Sequence, residues 1–136
     1  MRTRFTISGA PQGKARPRVT MHGTYTPAKT KAYENQIRSE YSNQSGVYYG
    51  DNALHLHIIA YYAVPKSKPK YIKEKMLKGE IRPTVKPDDD NITKAVQDAL
   101  NGLAWKDDAQ VVTLFVEKWY DEKPRVEVTI EEAVLR

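Results

Sequence analysis

The chain has 136 residues, 40% hydrophobic and 29% charged, with 22 Lys/Arg against 17 Asp/Glu and a formal net charge of +5. That length suits one domain with one core, expected to span residues 1–136. The absence of cysteine excludes disulfides, thiolate zinc sites and cysteine nucleophiles.

No positively charged start runs into an apolar segment, so no signal peptide is read and a cytoplasmic location is expected. The most apolar stretch, residues 54–64, is too short to span a bilayer, and no membrane partner is expected. Charge is unevenly spread. Residues 1–86 hold 16 Lys/Arg and 5 Asp/Glu, a net +11, whereas residues 87–136 hold 6 and 12, a net −6. Such asymmetry suits a nucleic-acid partner, and equally a merely well-solvated surface.

Residues 2–8 alternate, with Phe5 and Ile7 on one side, and predict a first strand. Two glycines and two prolines punctuate residues 9–18, which predict a loop presenting Lys14, Arg16 and Arg18. The glycine spacing, and Ala15 where a magnesium-binding hydroxyl is needed, exclude a nucleotide phosphate loop. The three cations suit a DNA backbone or plain solvent. Residues 19–25 read as a short hairpin turning at Gly23. Thr26 as cap and Pro27 at the first helical position open a helix that ends before Gly46, with Ala32, Ile37 and Tyr41 as its apolar face.

Residues 54–62 alternate as the clearest strand, placing Leu54, Leu56, Ile58, Ala60 and Tyr62 on one face and His55 and His57 on the other. The two histidines lack a supporting ligand cluster in the sequence. The next segment carries Lys66, Lys68, Lys70, Lys73, Lys75 and Lys78, with Ser67 as an expected helix cap and Gly79 as the stop. It is the first choice for phosphate contacts.

Residues 86–94, Lys-Pro-Asp-Asp-Asp-Asn-Ile-Thr-Lys, lead into a helix expected to end near Leu103. At 100° per residue, Ile92, Ala95, Val96, Ala99, Leu100 and Leu103 form one stripe. Asp90, Asn91, Lys94, Asp98 and Asn101 face the other way. Trp105-Lys-Asp-Asp-Ala-Gln-Val111 follows, then strands over 110–120 and 126–130. The whole reads as an α+β domain, a mixed sheet of about four strands packed with helices.

Two acidic groups thus bracket one helix in a basic protein. Phosphodiester hydrolysis needs hard cations at the scissile phosphate, and Mg²⁺ is often held by a few carboxylates plus waters. In an extended entry Asp88 and Asp90 point the same way, and Lys94 is placed to meet phosphate. The same aspartates also suit helix capping and turns, and the residues alone leave both readings open.

Together these segments resemble the RusA family of Holliday-junction resolvases: Asp-x-Asp-Asn-x-x-Lys-Ala from Asp88, Asp98-Ala-Leu, then Trp105-x-Asp-Asp-x-Gln110, over about residues 83–118. Pro11–Arg18 and Tyr25-Thr-Pro also resemble phage and prophage members. The resemblance implies an α/β-type fold and a hydrolase that nicks two strands of a four-way junction symmetrically, in recombination and repair. It implies Mg²⁺, with Mn²⁺ able to substitute, and a homodimer acting on branched DNA. It carries metal-ligand roles to Asp88, Asp90 and Asp108 and a catalytic role to Lys94; Asp107 is a possible additional acid. Lys14, Arg16, Arg18, Lys66, Lys68, Lys70 and Lys73 are expected to contact DNA. The alternatives are a nuclease of the same fold acting on other branched DNA, and a non-catalytic DNA-binding protein.

Overall fold

In a computed structural model that describes residues 1–25 and 27–136, and only the backbone of Arg18 and Tyr25, four strands form a mixed sheet. β1 (Arg2–Ser8) pairs antiparallel with β6 (Arg125–Glu132), β6 antiparallel with β4 (Leu54–Ala63), and β4 parallel with β5 (Val111–Asp121). The order β1-β6-β4-β5 leaves β5 on an edge. β2 (Arg18–Thr20) and β3 (Gly23–Tyr25) form the separate hairpin read from the sequence. The α+β expectation with a four-stranded mixed sheet is met.

Alternation explains β4: Leu54, Leu56, Ile58, Ala60 and Tyr62 are buried, and the residues between them are not. Beneath that face lie α1 (Ala28–Gln44) and α3 (Asp89–Leu100), which pack against each other. α1 buries Tyr33, Ile37 and Tyr41 at a four-residue spacing. Ala32, expected on that face, is exposed, because the larger Tyr33 takes the inward position. Pro27 precedes the helix rather than opening it, and the proposed cap Thr26 lies outside the described residues.

In α3 the predicted stripe is buried from Ile92 to Leu100, but the helix stops there. Leu103 packs on the core from the following turn, where Gly102 adopts φ +79°. α2 (Lys70–Leu77) begins after Pro69, without a side-chain cap, so Ser67 does not serve as one. Proline at that position leaves no N–H to satisfy. Gly79 ends the segment at φ +81°, as expected. In β5, Val112 and Leu114 are 61% and 46% exposed, because the helices do not cover the outer part of the edge strand. No helix among the described residues is long and apolar enough to cross a membrane.

Candidate active site

Asp88 is the N-cap of α3; its Oδ1 accepts from the Asn91 N–H at 2.9 Å. Asp89 and Asp90 occupy the first turn, so three carboxylates sit where unpaired N–H groups and the helix dipole favour negative charge. The extended entry expected for Asp88 and Asp90 is therefore not what forms. Asp88 has extended backbone, while Asp90 is already helical. The residue before them is pinned, since Tyr62 at the end of β4 donates its hydroxyl to the Pro87 carbonyl. Burial, and then the negative charge of Asp89 and Asp88, pushes the Tyr62 phenol far above its ordinary value and keeps it a donor.

The glycine–proline loop wraps this helix start. The Lys14 N–H donates to the Asn91 carbonyl at 3.3 Å, and a side chain at Gly13 would meet Asn91 at 2.8 Å. The loop and helix start enclose a cleft of about 920 Å³ lined by Gln12, Arg16, Lys29, Lys86, Asp88 and Asn91, among others. Arg16, Lys29 and Lys86 are exposed there.

Lys14 behaves differently. Its Nζ lies 2.6 Å from Asp98 and 2.9 Å from Glu34, joining the loop to α3 and α1. Hydrogen bonding to Asp98 is the main reason its pKa rises above the usual lysine value. Two carboxylates already neutralise the charge expected to meet phosphate. The side chain of Arg18 lies outside the described residues. Lys66, Lys68 and Lys70 are exposed before and at the start of α2, whereas Lys73 is half-buried. Lys94 is exposed one turn into α3.

The second acidic group is built separately. Asp107 caps a 3-10 turn over Asp108–Gln110: its carboxylate accepts from Ala109 N–H at 3.1 Å, and Gln110 Oε1 accepts from Asp107 N–H at 2.8 Å. Both features form a capping box. Asp108 instead meets the Asn101 amide, Nδ2 to Oδ2 at 3.4 Å. The buried Trp105 indole donates to Asn101 Oδ1 at 2.6 Å, and because an indole N–H only donates, the amide nitrogen is left to face Asp108. This Trp105–Asn101–Asp108 chain was not read from the sequence; the only signal was Asn101 four residues before a tryptophan.

The structure brings Asp88 and Asp90 together at one end of α3 and sets Asp108 at the other. Asp88 lies by the carboxyl end of the parallel β4–β5 pair, Asp108 just before the amino end of β5. Among the described residues no three His, Asp or Glu side chains converge as a metal site. Asp88 and Asp90 stand at the same end of α3, and their carboxylate oxygens are the donor type that a hard cation takes alongside waters and phosphate oxygens.

The profile of the family described as Endodeoxyribonuclease RusA matches residues 8–131, nearly the whole chain. A Bacillus subtilis (strain 168) protein described as uncharacterized protein YqaN is 41% identical over 135 residues, covering 95% of each chain. With the mixed sheet and the bracketed helix in place, the chain belongs to the RusA endodeoxyribonuclease family, hydrolases that act on crossover junctions.

Proposed function

We propose that residues 1–136 form one Mg²⁺-dependent endonuclease domain that acts as a homodimer in the cytoplasm. It resolves four-way junctions by paired symmetric nicks during recombination and repair, with Mn²⁺ able to replace Mg²⁺. The observation that carries this reading is the cleft of about 920 Å³ in which Asp88 stands among Arg16, Lys29 and Lys86. Exposed cations can hold the phosphates of a strand while the carboxylate beside them supplies oxygen ligands to a metal at the phosphodiester.

Asp88, Asp90 and Asp108 are the metal-binding acids, and the metal supplies water activation and charge neutralisation at the scissile phosphate. Arg16, Lys29 and Lys86 hold the strand by its phosphates, and exposed Lys66, Lys68 and Lys70 grip a junction arm. Lys94, on the solvent face of α3, offers its ammonium to developing negative charge. Tyr62 keeps Pro87, and through it Asp88, in place.

The test incubates purified protein with a synthetic four-way junction and Mg²⁺. Paired nicks at symmetric positions are expected. Asp90→Asn should stop cleavage and keep binding, because it removes a ligand and also a charge that repels DNA. Cleavage at the normal rate by this variant would refute the metal site. Binding without nicking in either Mg²⁺ or Mn²⁺ would refute the enzyme reading.

A further inference from the structure

Residues 82–87, Arg-Pro-Thr-Val-Lys-Pro, join the turn that closes α2 to the cap of α3. Two prolines leave two positions without an N–H, and among the described residues none of the six takes part in a backbone–backbone hydrogen bond. Yet the segment ends at Lys86 and Pro87, which with Asp88 line the cleft. A backbone without a ladder has to be placed by side chains.

β4 and β5 supply them. Tyr62 donates its hydroxyl to the Pro87 carbonyl, and the Lys118 ammonium donates to the Val85 carbonyl at 2.7 Å. In the other direction Arg82 Nε donates to the Lys118 carbonyl at 3.0 Å, and its guanidinium lies 3.6 Å over the Trp119 ring. Lys118 therefore meets the segment twice, at Arg82 through its backbone and at Val85 through its side chain. The same ammonium lies 5.1 Å from the centre of the Tyr62 ring, within cation–π reach, so the two residues that hold the segment also attract each other.

Lys118 breaks the pattern of its strand. Leu114, Val116, Lys118 and Tyr120 alternate onto one side of β5, and their β4 partners Leu56, Ile58, Ala60 and Tyr62 are all buried. Val116 and Tyr120 pack on the core on either side of the lysine. An apolar side chain would cover the same surface, and an ammonium placed there costs desolvation. What the charge adds is the hydrogen bond to Val85.

We infer that Lys118 is a positioning residue of the active site: through the Val85 carbonyl it sets segment 82–87, and with it the places of Lys86 and Asp88 in the cleft. The inference rests on the reading of Asp88 as a metal-binding acid.

The test replaces Lys118 by Met, which keeps an apolar stem and removes the donor, and by Cys, in a chain that otherwise has no cysteine. Alkylating that thiol with 2-bromoethylamine displaces bromide and leaves an aminoethyl thioether, a lysine with sulfur in place of one methylene. Single-turnover cleavage of a four-way junction is followed against Mg²⁺ concentration, and junction binding without divalent metal against salt. Losing a group that orients a metal ligand costs about 10–100-fold in metal affinity or activity, so half-maximal cleavage by Lys118→Met and by unmodified Lys118→Cys should need at least about tenfold more Mg²⁺. Binding and its salt slope should not change, and alkylation should return Lys118→Cys towards the wild-type Mg²⁺ dependence. Wild-type Mg²⁺ dependence in Lys118→Met would overturn the inference, since the stem alone would then suffice. Alkylation without recovery would overturn it too. A salt slope lowered by about 0.9 would make Lys118 a phosphate contact instead of a positioning residue. Full cleavage by Asp88→Asn would remove the reading of Asp88 on which the inference rests, whatever Lys118 does.

Discussion

Replacing Lys14 by Met separates a structural role from a DNA contact. The side chain is 22% exposed and sits between Glu34, 21% exposed, and Asp98, 33% exposed. Breaking a fully buried pair costs about 3–5 kcal/mol and an exposed one under about 1 kcal/mol, so this partly screened triad is worth about 1.5–2 kcal/mol. Unfolding entropy of about 2.1 cal/mol/K per residue gives about 0.3 kcal/mol/K for the chain, and hence a fall in Tm of about 5–7 °C. The pKa of Lys14 is raised in the folded state, so its stabilisation is complete at neutral pH and is lost only as pH climbs above the usual 10.5. The Tm gap between wild type and Lys14→Met should therefore hold steady from pH 7 to about 10 and close above that. Junction binding measured in Ca²⁺ at several salt concentrations supplies the second readout. A lost phosphate contact would lower the slope of log K against log salt by about 0.9, and no such change is expected here. An unchanged Tm with a reduced slope would show that Lys14 meets DNA and that its two carboxylate contacts are incidental.

Asp107 and Asp108 should part company under substitution. Asp107→Ala loses a cap, costing about 1 kcal/mol in urea unfolding, and keeps cleavage, whereas Asp108→Asn keeps stability and loses cleavage. Gly79→Ala forces a side chain into φ +81° and to 2.9 Å from the Trp119 ring, so it should destabilise by about 1–3 kcal/mol in the same assay. Tyr62→Phe removes the hydrogen bond to Pro87, expected to cost about 1 kcal/mol. If that bond also aims Asp88, single-turnover cleavage slows more than junction binding weakens. Equal effects on both would remove the positioning role.

Much of the fold is legible because its signals are periodic and local. The alternation of residues 54–62 marks β4, the 100° stripe from Ile92 to Leu100 marks the buried face of α3, and Gly79 marks a helix end. Helix starts are less legible, because proline is compatible with several positions. Pro27 and Pro69 both stand just outside their helices, although the sequence suits either as a first helical residue. Lys14 exposes a further limit. Nothing in Gly13-Lys14-Ala15 announces that Glu34 and Asp98, both distant in sequence, will claim the charge.

The acids show how a motif can mislead about geometry. Asp88 and Asp90 are two apart, which in a strand means one face, but capping chemistry draws Asp90 into the first helical turn. Asp108 lies twenty residues from Asp88, a separation a flexible loop could close. Twelve of those residues are helix, and helix is a rigid spacer of about 1.5 Å per residue. The stripe that buries α3 against the sheet therefore also fixes how far apart its flanking acids stand. A periodicity that looks purely structural thus sets the distance from Asp88 to the turn that carries Asp108.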